Sequence, residues 1–86
     1  SVLRNTIRYS DRILPEGASC LVVFDIPRNA NAVRNMLRRF LKDCGFVMLQ
    51  QSVWKCDKNV SQELKSFVKE IAIEKWVHVF EGVEMI

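Results

Sequence analysis

The 86 residues, 49% hydrophobic and 27% charged with a net charge of +3, make one small globular domain and leave no room for a second. That composition excludes a disordered chain, and no apolar run approaches the length of a bilayer-spanning helix. The sequence pI near 9.0 permits a nucleic-acid partner without demanding one, since many small domains carry this much charge for solubility alone.

Residues 1–18 read as a basic arm or short helix ahead of the domain at 19–86. Arg4, Arg8 and Arg12 recur every four residues, with Leu3 and Ile7 on a neighbouring strip. Pro15-Glu16-Gly17 then punctuates the chain. The run Leu21-Val22-Val23-Phe24-Asp25-Ile26-Pro27 reads as the end of a strand over about Ser19 to Ile26. It is apolar enough to be buried on both faces, with one carboxylate where the strand runs out and a proline that stops the ladder.

Asn29 or Asn31 is the expected cap of a helix running to about Cys44. Val33, Leu37, Phe40, Leu41 and Cys44 form its apolar stripe, and Gly45 sits at the C′ place. Two strands follow, Phe46–Leu49 and Val53–Cys56, joined by Gln50-Gln51-Ser52 as a tight connection or a bulged continuation. Asn59 or Ser61 is expected to cap a second helix whose stripe is Leu64, Phe67, Val68, Ile71 and Ala72. Trp76–Phe80 reads as the fourth strand, and Val83–Ile86 as a short fifth.

The order β-α-β-β-α-β is the split unit of a ferredoxin-like α+β fold. Right-handed crossovers then place the first strand in the middle of an antiparallel four-stranded sheet, with both helices on one face. Both alternations of the strands are apolar-rich, so the face without helices is expected to be covered by a second protomer or another partner. Trp54, Trp76 and Phe80 are the expected interface aromatics; for a strand tryptophan such as Trp54 the competing places are the core and a nucleobase stacking platform.

Cys20, Cys44 and Cys56 are odd in number, widely spaced and without a C-x-x-C pair. They read as reduced core thiols of a cytoplasmic protein rather than a disulfide frame or zinc site. His78, the one histidine, alternates with Trp76 and Phe80 and reads as a packed residue, with no Ser or Cys spaced for a dyad. Arg28, Arg34, Arg38, Arg39 and Lys42 are the candidate nucleic-acid-binding patch; the competing reading is a solvated helix face. An RNA-recognition module shares the element order. Of its strand signature, Lys42-Asp43-Cys44-Gly45-Phe46-Val47 keeps only part, and on the second strand instead of the third, which argues against it.

Asp25 has two readings. An Asp two residues before a proline is ordinary turn chemistry. Alternatively, two copies facing each other across a dimer axis bring two carboxylates to one Mg²⁺ or Mn²⁺, which makes Asp25 both metal ligand and catalytic residue. From the residues alone the turn reading is the stronger.

Three segments carry a resemblance: Leu21–Pro27; Leu37-Arg38-Arg39-Phe40-Leu41-Lys42 with Gly45-Phe46; and Leu49-Gln50-Gln51-Ser52-Val53-Trp54. Together, over about residues 20–80, they resemble two groups that share one fold. One is the CRISPR-associated endonuclease-like family of the spacer-acquisition complex, a ferredoxin-like homodimer whose metal-binding acid matches Asp25. The other is the similar domain of repressors that look like the phenylacetate-degradation operon regulator. The Phe-Asp-Ile-Pro and Leu-Gln-x-Ser-Val-Trp forms resemble the regulator side, as does a basic leading segment starting at Ser1, which fits a domain that follows a winged-helix region. The regulator resemblance implies a dimerising domain, DNA or RNA as a partner, and no nuclease activity. The nuclease resemblance implies a Mg²⁺- or Mn²⁺-dependent endonuclease or acquisition-complex subunit.

Overall fold

The structure, a computed structural model, describes residues 2–85. Its elements run α1 (Val2–Arg8), β1 (Ala18–Phe24), a 3₁₀ turn (Arg28–Ala30), α2 (Asn31–Asp43), β2 (Val47–Gln50), β3 (Val53–Cys56), α3 (Ser61–Glu70) and β4 (Val77–Val83). The sheet order is β2-β3-β1-β4 with every neighbouring pair antiparallel, which is the ferredoxin-like α+β arrangement the element order implies.

Alternation along the strands decides what is buried. Cys20, Val22 and Phe24 of β1 point to the helices, and their cross-strand partners Cys56, Trp54 and Val77 share that side. Leu37, Phe40 and Leu41 of α2 and Leu64, Phe67 and Val68 of α3 close the same core. The Phe40 and Phe67 rings stack with centroids 3.8 Å apart, locking α2 to α3 on one face of the sheet. α1 packs against α3, and Ile7 and Leu14 are buried in this core as well.

Several local expectations are corrected. β1 is buried on one face only: Leu21 and Val23 stay half-exposed on the side without helices. It ends at Phe24, although Ile26 turns back into the core. No asparagine or serine side chain caps α2 or α3. Asn31 accepts a bond from the Arg34 side chain one turn along α2, and Ser61 donates to the Glu81 carboxylate across to β4, so each side chain is engaged elsewhere.

Gly45 does take the C′ place after α2, at φ +91°, where a side chain would be strained. α3 stops at Glu70 rather than carrying its stripe through Ala72, because Ala72 adopts φ 58° and turns the chain so that Ile73 is the residue buried. The Gln50–Ser52 connection is both turn and bulge: residues 51 and 52 turn, and the register slips between Met48 and Gln50. Trp76 precedes β4, and Val83 lengthens that strand rather than starting a fifth. Ile86, the last residue of the expected fifth strand, lies outside the described residues.

Candidate functional site

Asp25 stands where β1 ends. Its backbone N–H donates to the Trp76 carbonyl at 2.8 Å, so the chain position is fixed by the neighbouring strand, while the side chain is exposed. Among the described residues no hydrogen bond or ion pair engages its carboxylate. Nor do three or more His, Cys, Asp or Glu side chains come together among them as a metal-holding group. Asp25 supplies one carboxylate to this strand end, and a hard cation held there would need further oxygen ligands.

The residues around Asp25 tie this end of the strand to α2 and to the β2–β3 turn. Arg34 donates to the Ile26 carbonyl at 2.8 Å, the Pro27 carbonyl at 3.2 Å and Asn31 Oδ1 at 2.9 Å, clamping the 3₁₀ turn to α2. Arg38 reaches the β2–β3 turn, with Nε donating to the Gln51 carbonyl and Nη2 to Gln51 Oε1, both at 3.2 Å. Trp54 Nε1 donates to that same Gln51 carbonyl at 3.1 Å, and Phe24 N to the Ser52 carbonyl at 3.0 Å. The segments that share a pattern in sequence thus meet at one place in space, as a hydrogen-bonded knot of backbone carbonyls and charged donors.

The five basic candidates divide accordingly. Arg34 and Arg38 spend their donors on carbonyls of this chain. Arg28, Arg39 and Lys42 are exposed and have no hydrogen-bond or ion-pair partner among the described residues.

The sheet face without helices carries Leu21 and Val23 of β1, Val47 and Leu49 of β2, Val53 of β3 and His78 and Phe80 of β4. Val47 is 59% exposed, Leu49 50% and Phe80 54%. Of the three interface aromatics expected from sequence, Phe80 lies on this face with its ring 6.4 Å from that of His78. His78 is therefore exposed rather than packed. Trp76 is half-buried at the core margin with the Lys75 ammonium over its ring. Trp54 points the other way: it faces Val22's side of the sheet, is 6% exposed and belongs to the core.

The three thiols are free and buried. Burial, with Cys56, Glu81 and Glu63 nearby, pushes the Cys20 thiol up to about 12. Burial likewise raises Cys44 to about 11, against a lowering by the Arg4 guanidinium, and raises Cys56. Such thiols stay protonated and unreactive at neutral pH.

Two arrangements had no local signal in the sequence. The Lys58 ammonium donates to the Ile7 and Arg8 carbonyls at 3.3 and 2.8 Å, holding the C-terminal end of α1 across 50 residues of chain. Backbone bonds from Leu14 N to the Asp57 carbonyl and from Asn59 N to the Arg12 carbonyl fasten the same segment. A lysine in a loop offers no periodicity from which such a partner could be read. No helix among the described residues is long and apolar enough to cross a membrane.

Compared with known proteins, residues 16–85 match the family model described as the PaaX protein central Cas2-like domain. No curated protein and no solved structure matches the chain.

Proposed function

The chain belongs to the family of PaaX protein central Cas2-like domains, and from that membership we propose that it works as the dimerisation domain of a repressor-type transcriptional regulator. The observation that carries this reading is the sheet face without helices, where Leu21, Val23, Leu49, Val53 and Phe80 form a half-exposed apolar surface. A second copy meeting it would remove that surface from water on both sides, the driving force of most homodimers. Arg28, Arg39 and Lys42, exposed and unpaired among the described residues, supply positive charge for contact with a nucleic-acid backbone, and Arg34 and Arg38 serve the fold. Reduced thiols and a DNA-directed role both fit a cytoplasmic protein.

The test is sedimentation of the wild-type domain beside Leu49→Lys and Phe80→Glu. A dimer that becomes a monomer in both variants, with unchanged circular dichroism, supports the reading. A wild type that stays monomeric throughout the micromolar range overturns it.

The exposed carboxylate of Asp25 supports a second reading, a metal-dependent endonuclease formed only in the dimer. In that setting each copy's Asp25 would help hold one Mg²⁺ or Mn²⁺, and the ion would supply Lewis-acid activation for phosphodiester hydrolysis. Cleavage of single- and double-stranded DNA and RNA, measured with Mn²⁺ against Asp25→Asn and a chelator, separates the two. The regulator reading expects no metal-dependent cutting and an Asp25→Asn dimer as stable as the wild type.

A further inference from the structure

Two of the three cysteines face each other across the sheet. Cys20 of β1 and Cys56 of β3 are cross-strand partners, and both lie on the helix side. The bond from Phe24 N to the Ser52 carbonyl sets the phase of this ladder. Hydrogen-bonded pairs recur at every second residue, which makes Cys20 and Cys56 such a pair. Pairs of that kind hold their Cα atoms about 5.5 Å apart, inside the range of roughly 4.4–6.8 Å that a disulfide spans. Cys44 is placed differently: it follows α2, and its thiol donates to the Arg4 carbonyl at 3.8 Å.

Access separates the facing pair. Cys20 and Cys44 are 0% exposed and Cys56 is 5% exposed. An open cavity of about 300 Å³, bordered by Gly45, Val47, Lys55 and Asp57, has Cys56 in its lining. Burial raises the Cys56 thiol, and the Lys58 amide works against that by donating to Sγ at 3.4 Å. Cys56 is thus the thiol that a small oxidant from solution meets first, and Cys20 is the thiol at its side.

We infer that Cys56 and Cys20 form a dithiol–disulfide couple oxidised by a small peroxide, with Cys56 the attacking thiol and Cys20 its resolving partner. In the first step the Cys56 sulfur attacks one peroxide oxygen and the O–O bond breaks. Cys56 becomes a sulfenic acid, and the other oxygen leaves with the thiol proton, as water from hydrogen peroxide or an alcohol from an alkyl hydroperoxide. In the second step the Cys20 sulfur attacks the Cys56 sulfur: the S–S bond forms, the S–O bond breaks, and the hydroxyl leaves with the Cys20 proton as water. The two thiols lose two electrons and the peroxide takes them up.

Thiols held in the protonated form react slowly, so the couple records sustained peroxide rather than a brief pulse. The link joins β1 to β3 within one chain, and the inference does not depend on the dimerisation reading. By closing the chain between Cys20 and Cys56 it restricts the unfolded state, which makes the oxidised form the more stable one.

The test treats the reduced domain with excess hydrogen peroxide at neutral pH over hours, then alkylates the remaining thiols in denaturant and maps the peptides by mass. Cys20 and Cys56 should be recovered in one disulfide-linked peptide and Cys44 as its alkylated form, and dithiothreitol should restore all three thiols. In Cys20→Ala the sulfenic acid has no resolving thiol, and dimedone should capture it at Cys56. In Cys56→Ala the same treatment should leave Cys20 unmodified. Urea unfolding of the oxidised wild type should shift to a higher midpoint. The wild-type map and midpoint decide the matter should either variant fail to fold. A link to Cys44, a link between two chains, dimedone captured at Cys20 or Cys44 instead of Cys56, or three intact thiols after treatment overturns the inference. So does an oxidised midpoint no higher than the reduced one.

Discussion

Arg38 and Trp54 meet at one acceptor: the Gln51 carbonyl receives the arginine Nε–H at 3.2 Å and the indole N–H at 3.1 Å. One side chain arrives from the outer surface of α2 and the other from the buried side of β3, so this oxygen joins the helix layer, the β2–β3 turn and the core. The adjacent Ser52 carbonyl takes the Phe24 N–H and thereby ties the same turn to the end of β1. Arg38→Met should destabilise the domain by about 1–2 kcal/mol, the usual effect of losing hydrogen bonds to a charged donor. Urea unfolding measures it. An undiminished midpoint together with weakened nucleic-acid binding would return Arg38 to the binding patch.

Lys58 provides a second long-range fastening. With Lys58→Met the Ile7 and Arg8 carbonyls lose their ammonium partner, and α1 should fray. Hydrogen exchange over residues 2–8 is expected to quicken by about tenfold or more, while amides in β1 and β3 keep their protection.

Ala72 is the one described non-glycine residue at positive φ, at 58°. An L side chain in that region costs roughly 1 kcal/mol, and glycine escapes the cost. Ala72→Gly is therefore expected to raise stability slightly, by a few tenths to about 1 kcal/mol. A lower midpoint in thermal or urea unfolding would show that the strain at this turn is compensated by contacts of the methyl group.

The thiols set the alkaline limit. Burial raises Cys20 to about 12 and Cys44 to about 11, so the folded state keeps protons that the unfolded state releases near pH 9. Their contribution is fully present below pH 9 and is lost as pH climbs through the folded values, with a slope near 1.4 kcal/mol per pH unit for each thiol. Stability measured from pH 8 to 11 should fall, and Cys20→Ala should flatten the decline even if its starting stability is lower. A thiol reagent at pH 8 should modify none of the three cysteines quickly in the folded protein and all three in denaturant.

Much of the architecture was legible because it rests on short-range periodicity. The stripe Leu37, Phe40, Leu41 and Cys44 defines α2's buried side whatever it packs against, Gly45 marks its end, and the element order admits few sheet topologies. The resemblance in the strand-end and Gln-x-Ser-Val-Trp segments agrees with the family match over residues 16–85.

The sequence by itself determined the α+β class, the strand order, the reduced state of the thiols and a strand-end acid at Asp25, since each depends on residue type and local spacing. Only the tertiary structure decided which side of the sheet each apolar residue faces. It placed Trp54 in the core and Phe80 on the open side, because the parity of a strand has meaning only once its cross-strand partner is known. It also divided the basic residues, turning Arg34 and Arg38 into clamps and leaving Arg28, Arg39 and Lys42 without a hydrogen-bond or ion-pair partner among the described residues. Charge is written in the sequence, but whether a donor meets a carbonyl eight or thirteen residues away depends on how the chain folds back on itself.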